Sequence, residues 1–475
     1  MIQLERDIAR REIRHGRYAA LVVSLVLGAE LLLRRARETR LRRKAVLVVS
    51  LLVGAALILL LVEQPADVVR GSLALLYIAL AVIGLTTVAL MLYAWRDAAT
   101  LAQTQFPSQE IAPELSFSLI VPARHEQEVL SSTLALLRRQ DHPAFQVIVV
   151  VRHDDPGTRA VAERAIAGDG RFSIVTDFSW TKNKPRALNI GLRECSGEIV
   201  GIFDAEDVVA PTLLRSVDQR FRETGADVVQ GATQLMNYRS SWFAVRNVLE
   251  YYFWFKSRLH FHARNGFIPL GGNTVFIRRQ WLDVIGGWDE HCLAEDCELG
   301  CRLSTMGAKT VVAYTSGLAT REETPETLRA LVRQRTRWNQ GYLQVLRKGD
   351  WRLLPVRQRF LAAYTLAFPF LQAALAVILP LAIVMMIVLP VPILLALLSF
   401  VPAATVLMIL AVELVGLREF GLEFETTPRV RDYARLVFGV IPYQIALAYA
   451  AARAAWRELR GVRDWEKTAH LGAHL

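Results

Sequence analysis

The chain has 475 residues, of which 53% are hydrophobic and 21% charged, and a formal net charge of +11. That length exceeds one compact core, and the mixture excludes both a small soluble domain and a bare bundle of membrane helices. The positive charge gathers at the edges of apolar runs, in RRARETRLRRK (34–44) and at Arg453, Arg457, Arg460, Arg463 and Lys467. There it marks a cytoplasmic membrane edge, and the absence of basic–aromatic interleaving in the polar block excludes nucleic acid as a partner.

Residues 1–17 are charged and helix-compatible. Residues 18–33 are apolar but short of the roughly 20 residues a span needs, so they form a short span or an interfacial helix. They lack a small-residue cleavage site, so no cleavable signal peptide is expected. Runs 45–62 and 73–95 are better spans and complete an N-terminal membrane region, 1–96. A linker is expected at 97–115, followed by a polar block at 116–347. Within it FSLIVPA (117–123) and QVIVVV (146–151) read as buried strands, with a helix over 126–139 between them and a further strand at 172–175. EIVGIFDAED (198–207) reads as a strand whose end carries carboxylates. This alternation predicts an α/β domain with a mostly parallel sheet and ligands at the strand C-termini.

Residues 348–475 form a C-terminal membrane region. The stretch 360–416 is broken by Pro369, Pro380, Pro390, Pro392 and Pro402 and holds two long spans or three short ones. Residues 417–432 are a charged linker, and 433–452 are a further apolar run containing Pro442. A cytoplasmic basic tail requires an even number of crossings after the polar block. Three short spans before residue 417, or one run lying in the interface, satisfies this. The four cysteines form no CxxC pair and read as reduced, structural thiols.

The motifs in the polar block each carry two readings. Asp204 and Glu206 stand where a strand ends, suited to a hard divalent cation shared with phosphate oxygens, or to a solvated acidic turn. Asp154 and Asp155 suit a nucleotide-base contact or an Asx turn before Pro156-Gly157. The run Lys182-Asn183-Lys184-Pro185-Arg186 suits phosphate contacts or a solvated loop. Glu295 and Asp296 sit at a helix start, where a carboxylate stays ionised and serves as a base or simply caps the helix. Gln334, Arg337 and Trp338 lie on a helical stretch, offering a guanidinium for phosphate and an apolar face for a sugar ring. Their bland alternative is a Trp-anchored interface helix.

The ordered set TKNKPRALNIGL, FDAED, GGN (271–273), GGWDE, AED and QRTRW resembles the membrane-embedded family-2 glycosyltransferases, relatives of cellulose, hyaluronan and poly-N-acetylglucosamine synthases. The resemblance covers about residues 116–345. It implies a Rossmann-like GT-A domain inserted between transmembrane helices at the plasma (inner) membrane and facing the cytoplasm. It also implies Glu126 with Asp154 or Asp155 at the nucleotide base, Asp204 and Glu206 at a Mg²⁺ or Mn²⁺ ion, and Asp296 as catalytic base. Gln334, Arg337 and Trp338 would hold the diphosphate and acceptor.

The implied reaction is inverting transfer from a nucleotide sugar, most simply a UDP-sugar, to a polysaccharide at the bilayer, with a possible export-partner subunit. The alternatives are one sugar moved to a lipid acceptor, or a silent envelope scaffold. Three positions depart from the family pattern. Ala294 replaces the usual Thr before Glu295-Asp296, either Glu206 or Asp207 can be the second metal ligand, and His125 replaces the Asn that often precedes the Glu.

Overall fold

The computed structural model describes residues 65–96, 112–388, 392–466 and 472. The apolar runs 18–33 and 45–62 lie outside them, as does most of the 97–115 linker. The chain divides into two compact units, Met1–Val82 with Ala382–Ala403, and Ile83–Leu381 with Ala404–Leu475. In the first, Leu73, Tyr77, Ala382 and Leu395 form one buried cluster.

Helix α1 (Pro65–Met91) covers most of the second well-placed apolar run, 73–95, whose end forms a short 3-10 turn at Tyr93–Trp95. The second unit then builds an α/β domain: β1 (Phe117–Ala123), α2 (Leu130–Arg138), β2 (Phe145–Arg152), α3 (Pro156–Ile166), β3 (Phe172–Asp177), α4 (Lys184–Leu192) and β4 (Ile199–Ile202). It continues through α5 (Leu213–Thr224), β5 (Val228–Gln230), β6 (Thr233–Leu235) and α6 (Ala244–Phe253). A π-helical turn (Trp254–Arg258) leads into α7 (Leu259–Arg264), β7 (Val275–Arg278), α8 (Arg279–Ile285) and α9 (Glu295–Thr305). After β8 (Thr310–Val312) and β9 (Thr320–Glu322) comes the long α10 (Leu328–Lys348).

The seven-stranded sheet has the order β3-β2-β1-β4-β7-β5-β8, with β7 antiparallel to both neighbours and all other pairs parallel. The apolar run of β1 and the β-branched run of β2 suit this sheet because both faces are covered. Ile120, Ile148 and Val150 enter one core, while Leu119, Val121, Val147 and Val149 enter the other. The chain leaves β1 for β2 and β3 on one side and returns to β4 on the other. A crevice opens at that reversal, above the carboxyl ends of β1 and β4.

The expected helix over 126–139 begins only at Leu130. Residues 124–129 instead form the turn that carries Glu126. His125 holds a left-handed backbone there (φ 55°), a conformation that Asn and His tolerate better than most side chains. The strand expected over 198–207 ends at Ile202, because the acidic tetrapeptide folds into a turn of its own.

Beyond the sheet come α11 (Val356–Val388), α12 (Ile393–Leu398), α13 (Phe400–Glu423), α14 (Val430–Phe438) and α15 (Val440–Leu459). Val68–Met91, Val356–Val388 and Ile393–Glu423 are long and apolar enough to cross a membrane. The stretch 360–416 therefore contains two long candidate spans. Residues 417–423, expected as linker, continue α13. Leu417 and Phe420 are fully buried, and Glu423 accepts hydrogen bonds from Tyr314 (2.9 Å), Tyr252 (3.1 Å) and Lys256. The Lys256 ammonium is also within 5 Å of the ring centroids of Trp95 (4.8 Å) and Tyr252 (4.9 Å). Burial pulls its pKa down to about 8.

The run 433–452 becomes two helices bent by 50° at Gly439. α15 lays Tyr443, Ala446, Ala450 and Ala454 against α10. Glu458 near its end accepts from Gln340 and Gln344 at 3.2 Å each, and from Arg347. All four cysteines are free and buried, as their spacing suggested.

α10 runs straight through Gly341. A Cβ there would lie 2.4 Å from both Cβ and N of Ala294, the residue before α9. Gly341 thus lets the two helices touch where Glu295 and Asp296 begin. Gly→Ala inside a helix ordinarily stabilises by up to about 1 kcal/mol. Here Gly341→Ala is expected to destabilise the second unit by about 1–3 kcal/mol through overpacking, read as a lower thermal midpoint of the purified chain.

Candidate active site

Three strand ends and the start of α9 supply the crevice. At the base of the first pocket Asp155 caps α3, accepting from Thr158 N (3.2 Å) and from His125 N (2.6 Å). Burial pushes its carboxyl up, but these bonds from backbone and hydroxyl donors win and hold it below the usual range. The Glu126 amide donates to Thr158 Oγ1 at 3.1 Å, so Glu126 and Asp155 are brought together, both buried. Asp154 lies apart at the rim. It accepts from Arg152 Nε (2.7 Å) and Lys182 Nζ (2.8 Å), and these cations lower its carboxyl. The two readings of the Asp pair thus divide: Asp155 is the helix cap beside Glu126, and Asp154 anchors the 178–183 loop.

That loop turns into α4, whose N-cap is Asn183. Lys184, one residue on, reaches across the crevice. Its Nζ donates to Asp204 Oδ1 and, at 2.9 Å, to the carbonyl of Gly272. Burial opposes its charge, but Asp204, Glu295 and Asp296 overcome this and raise its pKa above the ordinary lysine value. Gly272 is the hinge of the arrangement. A Cβ on it would sit 3.1 Å from Asp296 Oδ2 and 3.6 Å from Lys184 Nζ. Asp204 after β4, Lys184 on α4, Gly272 before β7 and Asp296 on α9 therefore converge on one spot.

Asp296 is the second residue of α9, and Ala294 occupies the cap position with no side-chain bond. The capping alternative thus does not hold for Asp296. Its Oδ1 accepts from Cys297 N at 2.7 Å, which leaves Oδ2 toward Gly272. Burial raises the pKa of Asp296 despite that bond and the charges of Lys184 and Arg337. Burial and the Asp296 charge raise Glu295 to about 7.

Asp207 is fully buried and structural. It accepts from Asp204 N (2.8 Å) and Asn273 Nδ2 (3.0 Å), closing the acidic turn on the GGN loop. Burial, then the charges of Glu322, Asp204 and Glu206, push its carboxyl well above the normal range. That turn carries a surplus of negative charge. Asp204 keeps 29% of its side chain exposed and is the member of the turn open to a divalent cation, with Glu206 buried two residues on. Among the described residues no group of three or more His, Cys, Asp or Glu side chains forms a ready metal cage. A hard cation held by one or two carboxylates and completed by phosphate oxygens needs none.

On α10, Arg337 lies near enough for its charge to act on both Glu295 and Asp296. Its Nε is buried without a hydrogen bond, as is Gln334 Oε1, and its guanidinium lies 4.4 Å from the Trp465 ring centroid. Trp338 faces Tyr251 of α6 (6.3 Å between centroids) and the Arg335 guanidinium (4.7 Å). Tyr251 stands 6.0 Å from Phe255 of the π-helical turn, and Phe255 lies against Gly271. An aromatic wall thus runs from Trp338 to the glycine pair beside Asp296. Tyr251 and Phe255 belong to no motif singled out in the sequence, although the aromatic density of YYFWF (251–255) is a signal that finds them. Arg335, inside QRTRW, is spent on Glu250 and Asn247.

A parallel-centred sheet with carboxylates, a lysine and an arginine above its reversal point defines a GT-A-like nucleotide-sugar fold. Residues 113–341 match the family described as glycosyltransferase like family 2. The chain carries a glycosyltransferase family 2 domain. It is 28% identical over 402 residues to a beta-monoglucosyldiacylglycerol synthase of Nostoc sp., covering 82% of this chain and 84% of that protein. It is 24% identical over 255 residues to a poly-beta-1,6-N-acetyl-D-glucosamine synthase of Staphylococcus epidermidis, covering 53% of this chain and 60% of that one. Among solved structures, the mannosyltransferase PcManGT from Pyrobaculum calidifontis, in complex with GDP-Man and Mn²⁺, aligns with a TM-score of 0.51 at 18% identity. That alignment covers 82% of this chain and 99% of PcManGT, a likeness of fold.

The raised Glu295–Asp296 pair gives the site a pH signature. The proposed base must be ionised, and burial holds the Asp296 carboxyl above the ordinary aspartate range. Transfer is therefore expected to fall on the acid side at a higher pH than a free aspartate would give. Glu295→Gln removes a like charge and should move this acid limb to lower pH, read from initial rates. A limb left in place by Glu295→Gln would break the link.

Proposed function

We propose that the chain is an inverting glycosyltransferase that moves one sugar from a nucleotide sugar, most simply a UDP-sugar, to a hydroxyl of a membrane lipid at the cytoplasmic face. The observation that carries the catalytic part is the meeting of Asp204, Lys184 and Asp296 around Gly272. Glu126 and Asp155 border the base, and Lys184 and Arg337 face the diphosphate. The acceptor hydroxyl attacks the anomeric carbon from the side opposite the diphosphate, and Asp296 takes its proton as the new bond forms. The carbon–oxygen bond to the diphosphate breaks, and the two cationic side chains stabilise the charge that develops there. A Mg²⁺ or Mn²⁺ ion held by Asp204 and Glu206 would supply further neutralisation of the leaving group. The Trp338–Tyr251–Phe255 wall offers the flat apolar surface on which an acceptor or donor sugar ring rests.

Two observations favour a lipid acceptor. The likeness to the diacylglycerol-glycosylating relative covers most of both chains, so it extends past the catalytic domain into the apolar helices. Two long candidate spans follow the catalytic domain, and α15 is packed on α10. With α14–α15 lying in the interface, the crossings after the domain are even, and the basic tail stays on the cytoplasmic side. Polysaccharide synthesis, with an export partner, is the second reading. The likeness to the poly-N-acetylglucosamine synthase supports it over about half of this chain.

The test is purified full-length chain in vesicles containing diacylglycerol, given a panel of radiolabelled nucleotide sugars. The expected product is a short glycolipid, extractable into organic solvent. Asp296→Asn should cut transfer by about a hundredfold or more while leaving donor binding intact. A labelled polymer would select the second reading, and near-native transfer by Asp296→Asn would remove the proposed base.

A further inference from the structure

α14 and α15 present two different faces. On the covered face of α15, Tyr443, Ala446, Ala450 and Ala454 meet the catalytic domain. On the opposite face Ile441, Ile445, Tyr449 and Trp456 recur at helical spacing and are 57–71% exposed. Phe438 and Val430, 80% and 87% exposed, extend that apolar face onto α14. The bend at Gly439 opens a groove of about 340 Å³ between the helices, lined by Trp242, Arg431, Arg435, Phe438, Gly439 and Pro442.

The groove is mainly apolar, and Arg431 and Arg435 border it. Arg431 makes no hydrogen bond or ion pair among the described residues. Arg435 donates one bond to the Arg239 carbonyl at 3.3 Å and keeps its other donors. The neighbouring carboxylate, Asp432, is buried and taken by Arg239 (3.1 Å) and by the Arg429 amide (2.9 Å). Among the described residues no carboxylate lines the groove.

We infer that this groove binds the phosphate of an anionic membrane phospholipid, with Arg431 and Arg435 on the phosphate and Phe438 and Trp242 beside the glycerol and upper acyl chain. The occupant follows from charge and position. Two guanidiniums without a balancing carboxylate call for an anion, and Arg suits phosphate bidentately. The exposed apolar stripe calls for a bilayer surface, where an amphipathic helix with basic residues settles at the headgroup level. Only six residues separate the segment from a candidate span, Ile393–Glu423. The groove is lined by none of the residues placed in the active site, so the bound lipid acts as an anchor rather than as acceptor. The inference rests on the membrane placement proposed above, but its test reads lipid binding without sugar transfer.

The experiment titrates dioctanoyl phosphatidylglycerol into the full chain purified in neutral detergent and follows retained lipid by native mass spectrometry. Arg431→Gln, at an exposed position without partners, should weaken binding about tenfold, the scale of one lost charged hydrogen bond. Phe438→Ser should weaken it with no change of charge. Arg460→Gln, at the far end of α15, should leave it unchanged, and dioctanoyl phosphatidylcholine should bind more weakly and ignore Arg431→Gln. The inference is overturned by absent binding in the native chain, by native affinity in Arg431→Gln, or by an equal loss in Arg460→Gln. Displacement of the lipid by an equimolar amount of inorganic phosphate would also overturn it, since the groove would then read a bare anion.

Discussion

The structure around the crevice depends on one partly buried ammonium. Lys184 is bonded to Asp204 and to the Gly272 carbonyl, and the charges of Glu295 and Asp296 act on it. Carboxylates drawn from segments far apart in sequence repel one another, and gathering them in a partly desolvated crevice is unfavourable unless a cation sits among them. Lys184 is that cation in the protein itself. It ties the acidic turn after β4 to Gly272, and its charge offsets the carboxylates at the start of α9. The GGN loop is then held to the acidic turn by Asp207 and Asn273.

The second constraint is close backbone approach. Gly272 leaves room for Asp296, and Gly341 lets α10 meet Ala294. Together they set α10, with Arg337 and Trp338, against the same helix start that carries the proposed base. The aromatic and cationic cluster around Lys256 performs a comparable task farther out. It ties the end of α13 to the π-helical turn that presents Phe255. Such turns recur where a helix must re-aim a side chain at a functional surface.

Much of this was legible in the sequence, and the reasons differ by element. β1 is a largely apolar run and β2 contains the β-branched run VIVVV, patterns that suit a doubly covered sheet, so they fall within a residue or two of expectation. The order of the motifs pointed to one site because the acidic ones and Lys184 stand at strand ends or helix starts, while QRTRW lies inside α10. What the sequence hides is which of two adjacent carboxylates turns inward. Asp155 rather than Asp154 is buried because α3 needs a cap and His125 adopts a left-handed turn to donate to it. Asp207 is buried by Asn273, far along the chain. The continuation of α13 through charged residues 417–423 depends on Tyr252, Tyr314 and Lys256 receiving Glu423, a contact no local pattern encodes. Tyr251 joins the site only because α6 packs beside α10.

The most direct measurement is a cryo-electron-microscopy map of the full chain with a non-transferable nucleotide-sugar analogue. The account places the diphosphate between Lys184, Asp204 and Arg337, with the sugar's anomeric carbon facing Asp296 closely enough for a hydroxyl to sit about 3 Å from the carboxylate. Nucleotide density elsewhere on the domain, or a donor sugar turned away from Asp296, would contradict it.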